Sequence, residues 1–407
     1  MSLRVWLPLN GSLKNQGLDN IEAINNGIVF NNNGKIGKCC SFTNGYLNLP
    51  STFMTDFTEC SVCFWIKINS WNTSYETYFQ AGKDFYSWSD YIFGILRNGS
   101  NSTVCFTIGN GTSYSGSSYL TSTWNVGEWM HVAFVYSSGK CKIYLNGNLN
   151  KEYNTTIIPD FTKITKITIG HSNGSGYQTN CLMNDFRIYD HALSHKEIHK
   201  ISQGLIVHYP LNKNGLDEED NLSNDIMYDI SGYQNNGIIH GTFLYNTNTL
   251  LYKLSTNAQG GSSTYLEGII LPDEAKTVSL WIKCAKNVSS AIFNDKTTGL
   301  QIGLLNSLLY VNSKSSTAGF TTSHWKNNEW NHVVVINDNS VRKCYVNGQS
   351  ETQSGSSNYY IHNADKFWVW NRSYNNSYPY KGSLSDLRIY TTALSEEEIK
   401  ELYKHHN

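Results

Sequence analysis

The chain has 407 residues, with 31 Lys plus Arg against 32 Asp plus Glu and a formal net charge of −1. That length suits two domains better than one core, and a balanced charge without any Lys or Arg run excludes a phosphate-neutralising surface for nucleic acid. Charged residues make up only 15% and aromatics 13%, which excludes a disordered chain and leaves solubility to Asn, Ser, Thr and Gly.

In chain order, a strand is predicted from Leu3 onward, with no basic region followed by an apolar block that would mark an export signal. No stretch reaches the roughly 18 apolar residues of a membrane span. Nine cysteines follow at irregular spacing, including Cys39-Cys40 and a single Cys60-x-x-Cys63 pair. One such pair lacks the four ligands a structural zinc needs. Cys63 alternates with Trp65, and Cys105 sits beside Phe106, inside predicted strands. Buried free thiols and assembly in a reducing compartment are therefore expected. The segment from Trp71 to Tyr91 is densely aromatic, with a strand around Thr77 to Gln80 and a loop over Lys83 to Asp90. From Trp129 to Tyr136 the pattern has period two, and both faces are apolar, as in a central strand covered on both sides. Asn98-Gly99, Asn110-Gly111, Asn146-Gly147 and Asn347-Gly348 read as hairpin turns. Ser194-x-x-Glu197 and Ser395-x-x-Glu398 are capping boxes that open two short helices.

The chain is one unit written twice. Phe64-Trp65-Ile66-Lys67 returns as Leu280-Trp281-Ile282-Lys283, and Glu128-Trp129-x-His131-Val132 returns as Glu329-Trp330-x-His332-Val333. Tyr144-x-Asn146-Gly147 returns as Tyr345-x-Asn347-Gly348, and Asp185-x-Arg187-Ile188-Tyr189 returns as Asp386-x-Arg388-Ile389-Tyr390. Two domains are expected, 1–203 and 204–407, in contact because no flexible linker separates them.

These blocks resemble the laminin-G-like branch of the concanavalin A-like lectin and glucanase superfamily, and they cover most of both halves. The resemblance implies an all-β fold. Two tandem antiparallel jelly-roll sandwiches are expected, each closed by a short C-terminal helix. It also implies a concave face and rim loops that bind sugars in many members, in some with calcium. The fold hosts lectins, adhesion modules, glycosidases and spacers, so it does not settle function.

Catalysis finds little support. Retaining glycosidases need two carboxyls roughly 5–5.5 Å apart, and no strand carries the expected acid pattern. Asp217-Glu218-Glu219-Asp220 reads as a solvated loop, and Glu396-Glu397-Glu398 as the acidic start of a helix. Glu128 and Glu329 recur beside Trp and His, but at the lead-in turn of a core strand, so His131 and His332 read as structural. His191, His195 and His199 sit four apart, yet the second unit has Thr392, Glu396 and Lys400 there, which argues against a metal.

Binding remains. Trp71, Asp84, Phe85, Tyr86, Trp88 and Asp90 in the first unit, and Trp370, Tyr374, Tyr378 and Tyr380 in the second, are the candidate carbohydrate-binding residues. Aromatic faces stack on sugar C–H surfaces while acids and amides bond the hydroxyls. Packing against the neighbouring domain or subunit is the competing reading. No cofactor is required; calcium stays open, with Asp84, Asp90 and Asn72 as oxygen donors. The expected function is a non-enzymatic virion-associated protein, a capsid decoration or fibre of a bacteriophage, that presents two lectin-like domains to glycans. Free thiols, the missing export signal and about 48 asparagines, typical of AT-rich genomes, motivate it. A bacterial surface adhesion module, a glycoside hydrolase and a ligand-free spacer are the alternatives. Expected partners are glycans and other virion or surface proteins, without nucleic acid or membrane. Near-zero net charge is compatible with a homo-oligomer.

Overall fold

The computed structural model describes residues 2–43, 45–71, 75–83, 88–98, 104–119, 124–171, 178–211, 226–240, 244–246, 251–253, 265–271, 276–286, 290–295, 301–305, 307–312, 317–338, 341–354, 364–369, 380 and 382–404. They form two compact units, Met1–Ser202 and Gln203–Asn407. Each unit is an antiparallel two-sheet sandwich.

In the first unit one sheet runs Asn148–Asn154, Lys140–Leu145, Trp129–Ser137, Cys60–Ile68, Cys181–Tyr189, Cys39–Ser41, Val29–Asn31, and Leu3–Leu7 also pairs with Cys181–Tyr189. The other runs Tyr114–Tyr119, Val104–Gly109, Tyr91–Asn98, Tyr75–Gly82, Lys166–Ile169, Tyr46–Leu49, Ile24–Asn26. Strand neighbours far apart in sequence are what a jelly roll requires. Between the sheets lies one apolar cluster that includes Phe64, Phe79, Phe93, Phe106, Phe134 and Phe186.

The period-two reading of the Trp129–Ser137 strand holds. Val132, Phe134 and Tyr136 face the main core, while Ala133 and Val135 face outward beneath the helix His195–Ser202. Ile198 and Leu193 close that outer cluster over Cys63, Tyr144 and Tyr189. The second unit repeats the arrangement, with Ile399 of helix Glu396–Lys404 over Val334, Ile336, Tyr345 and Tyr390. The capping boxes are formed: the Ser194 amide donates to Glu197 Oε2 at 2.7 Å, and the Glu197 amide returns to Ser194 Oγ at 3.3 Å. Ser395 and Glu398 do the same.

Asn146 and Gly147 have φ of 46° and 81°, and Asn347 and Gly348 have 53° and 75°, as a type I′ hairpin requires. Asn146 Oδ1 also accepts from the His131 amide at 2.9 Å, which ties the hairpin to the strand beside it. The recurring Asp-x-Arg block is a bulge. Pairing to Cys60–Ile68 shifts between Asn184 and Arg187, and Asp185 sits at φ 56°. Its buried carboxylate accepts from Arg187 Nε at 2.8 Å and Trp6 Nε1 at 2.7 Å. In the second unit Arg388 and His208 take those places around Asp386.

All nine cysteines are buried, and none forms a disulfide. Cys60 joins the inner core and Cys63 the outer cluster, since strand alternation turns them to opposite faces. Burial pushes the thiols of Cys63, Cys141, Cys181 and Cys284 up to about 12. Among the described residues no helix is long and apolar enough to cross a membrane.

Candidate functional site

The tempting acids lie where the sequence places them. Glu128 and Glu329 are exposed on the turns that lead into their strands, and Glu128 Oε2 accepts from Asn125 Nδ2 at 3.0 Å. His131 is fully buried, touches Trp65 edge-on with ring centroids 5.4 Å apart, and has neither ring nitrogen hydrogen-bonded among the described residues. Burial pushes it down to about 3, with Asp185 and Arg187 making smaller, opposed contributions. An enclosed imidazole that burial keeps neutral near neutral pH is a packing element. His332 is buried as well, with Nε2 2.9 Å from Ser279 Oγ. Glu76 faces the core and is ion-paired, its Oε2 2.7 Å from Arg97 Nε and accepting from Tyr78 Oη at 3.0 Å. Among the described residues no three of His, Cys, Asp and Glu converge on a metal position.

The predicted aromatic platforms divide. Asp84, Phe85 and Tyr86, and Trp370, Tyr374 and Tyr378, lie outside the described residues, as do Asn72 and the acidic run at 217–220. Trp88 and Asp90 belong to a single 3-10 turn, Trp88–Asp90, with Asp90 half-buried. Trp71 is half-buried, packs on the core and lies under the Arg97 guanidinium, 5.0 Å from its ring. Tyr380 corrects the sequence reading. It is fully buried, with its hydroxyl donating to the Lys283 and Ser383 carbonyls at 3.1 and 3.0 Å, so its ring offers no face to a sugar.

A different set of residues comes together on the outer face of the second sheet in the first unit. Leu47, Leu49, Ile167, Ile169, Phe79, Ala81, Phe106 and Ile108 point into the core. Alternation turns the residues between them the other way, and the pairing aligns Asn48, Thr168, Gln80, Gly94 and Thr107 in one row across five strands. Thr168 Oγ1 donates to the His171 carbonyl at 2.6 Å. Both atoms of the Gln80 amide and Asn48 Oδ1 have no hydrogen-bond partner among the described residues. Gln80 and Thr107 are fully buried. A buried polar group without a partner costs about 1–3 kcal/mol; Gln80, Thr107 and Thr168 are fully enclosed, so this part of the row offers no open face to a sugar. Two rings flank the row. Tyr46 stacks on His171 at 5.1 Å, and the Tyr91 ring crosses Gly94, where a Cβ would come within 2.8 Å of it.

In the second unit the same row reads Glu267, Trp368, Asn294, Gln301. Glu267 Oε1 is ion-paired with Lys366 Nζ, and its Oε2 lies 3.5 Å from His240 Nε2. His240 stacks on Tyr265 with centroids 4.3 Å apart and planes 16° from parallel. The Trp368 indole hydrogen-bonds to the Tyr265 hydroxyl. Tyr46-Leu47-Asn48 and Tyr265-Leu266-Glu267 are equivalent, as are Lys166-Ile167-Thr168 and Lys366-Phe367-Trp368. The sequence signal for these rows is one polar residue between two apolar ones, as in Leu47-Asn48-Leu49, Phe79-Gln80-Ala81, Phe106-Thr107-Ile108 and Ile167-Thr168-Ile169.

A family model described as concanavalin A-like lectin/glucanases superfamily, of the laminin G type, matches residues 42–199 and 258–400. The chain belongs to the concanavalin A-like lectin/glucanase superfamily. Its two matches fall one in each unit, as a tandem pair of these domains requires. No curated protein matches the chain. Among solved structures, it is similar to domain 4 of a GH43 extracellular arabinanase from Geobacillus stearothermophilus in complex with arabinotriose (21% identity, 49% of this chain and 98% of that one, TM-score 0.41). It is also similar to the binding domain of Paraclostridial mosquitocidal protein 1 (12% identity, 91% and 98%, TM-score 0.44). A third is the botulinum neurotoxin serotype C1 binding domain (14% identity, 97% and 99%, TM-score 0.40).

Proposed function

We propose that this superfamily member is a non-enzymatic glycan-binding protein. The observation that carries this reading is its tandem pair of lectin/glucanase-superfamily domains, one family match in each unit. The test is a glycan array with the intact protein. Binding to a defined subset of glycans supports the reading; a blank array, or sustained release of reducing sugar from a polysaccharide, overturns it.

The setting we propose is a bacteriophage particle, where the domains hold the virion to host glycans as a decoration or fibre. Nine enclosed cysteines, none in a disulfide, favour synthesis and assembly in a reducing compartment over export to a bacterial surface. Mass spectrometry of purified particles tests it, and absence from every virion ends it.

A further inference from the structure

We propose that the second domain carries a glycan site, an ion-paired clamp for a vicinal diol built from Glu267 and Lys366 beside the Tyr265–His240 stack. This assignment rests on the glycan-binding reading above.

Three strands place the groups on one outward face. Glu267 and Tyr265 are two residues apart on Tyr265–Leu271, so they point the same way. Glu267 pairs in register with Trp368 on Ala364–Val369, and Lys366 is two residues before Trp368. His240 pairs with Tyr265 from Gly237–His240. The face is open: the side chains of Lys366 and His240 are 39% and 37% exposed, and that of Glu267 is 13% exposed.

The chemistry follows from that placement. A carboxylate is an acceptor only and an ammonium a donor only. Side by side they offer one charged acceptor and one charged donor at the spacing of an ion pair. Two hydroxyls on adjacent carbons match this, one donating to Glu267 and the other accepting from Lys366. Charge-assisted hydrogen bonds are roughly twice as strong as neutral ones, so a half-exposed pair can compete with water. The Trp368 indole is hydrogen-bonded to the Tyr265 hydroxyl, which fixes the ring on which His240 stacks. A sugar held by its diol at Glu267 would therefore meet a preset aromatic wall.

The first domain cannot do this at the same place. Asn48 stands where Glu267 stands, and Thr168 where Trp368 stands, so that row has amide and hydroxyl groups but no carboxylate. Mobile ions screen a part-exposed ionic clamp, so binding there falls as salt rises.

The test is an array of bacterial and mammalian glycans, printed both intact and after periodate, which cleaves the carbon–carbon bond between vicinal hydroxyls. The intact protein is compared with its Glu267→Gln, Lys366→Met and Lys366→Arg variants, at low and at high salt. We expect one subset of glycans to lose about tenfold or more in signal with Glu267→Gln and Lys366→Met, with periodate and with high salt. Lys366→Arg should retain that subset. Closed thiols at Cys284 and Cys344 report that the second unit of each variant has folded, and Lys366→Met stands in should Glu267→Gln not fold. A wild type that binds while Glu267→Gln and Lys366→Met change nothing overturns this site alone. A blank wild-type array overturns this site together with the glycan reading.

Discussion

His131 should make the first domain acid-sensitive well above the carboxylate range. Its ordinary value of 6.5 falls to about 3 in the fold, because burial penalises the charged ring. Below pH 6.5 the unfolded chain takes up a proton that the folded one refuses. The stability this neutral histidine preserves is therefore complete above pH 6.5 and lost progressively as pH falls toward 3. Each pH unit in that window costs about 1.4 kcal/mol, so about 2 kcal/mol is lost between pH 6.5 and pH 5. His171, also pushed down by burial, adds to the loss with the same sign. The perturbation is His131→Leu, which keeps the volume, removes the titration and removes two orphaned nitrogens. Its stability at neutral pH should match or exceed wild type, by up to about 1 kcal/mol, and its loss on acidification should be smaller by about 2 kcal/mol. His171 is present in both proteins, so the difference isolates His131. The enclosed thiols supply the assay: seven, from Cys39 to Cys181, lie in the first unit, and Cys284 and Cys344 lie in the second. Pulse labelling with an acid-tolerant methanethiosulfonate at increasing denaturant, read peptide by peptide, follows each unit separately in the intact chain. Parallel pH curves for wild type and His131→Leu in the first-unit peptides would refute the argument.

Two further outcomes use the same assay. Glu76→Ala leaves Arg97 buried without its 2.7 Å partner and should destabilise the first unit by about 3–5 kcal/mol while sparing the second. Gly147→Ala forces a side chain onto a residue at φ 81° and brings its Cβ within 2.3 Å of Ser202 Oγ. It should cost about 2 kcal/mol and loosen the helix that covers the outer face, seen first as labelling of Cys63.

What could be read from the sequence was what repeats or alternates over a long span. Glu128-Trp129-x-His131-Val132 shows its double burial because nine consecutive residues sit in a strand with a sheet core below and a helix above. The capping boxes announce helix starts because reciprocal Ser–Glu bonding needs that spacing. The outer rows stayed hidden for the opposite reason. Lys166–Ile169 and Tyr46–Leu49 have four residues each, too few to display a period, and a lone Asn48 or Thr168 between aliphatics looks like tolerated polarity. Only pairing across five strands makes Asn48, Thr168, Gln80 and Thr107 one row. Tyr380 belongs to a segment rich in rings whose composition does not say which ring turns inward. Its hydroxyl, held by two backbone carbonyls, decides that locally.

The helix laid over one sheet of each domain divides the freedom of the duplicated gene. On the face beneath it, Trp65, His131, Tyr144, Tyr189 and Ile198 have as counterparts Trp281, His332, Tyr345, Tyr390 and Ile399, while Cys63, Ala133 and Val135 have become Ser279, Val334 and Ile336. Across the other sheet, Asn48, Thr168 and Gln80 have become Glu267, Trp368 and Asn294. Replacements under the helix stay small or aliphatic, whereas those of the outer row exchange amide and hydroxyl for carboxylate and indole, so the two copies diverge in chemistry at this row while keeping the packing beneath the helix.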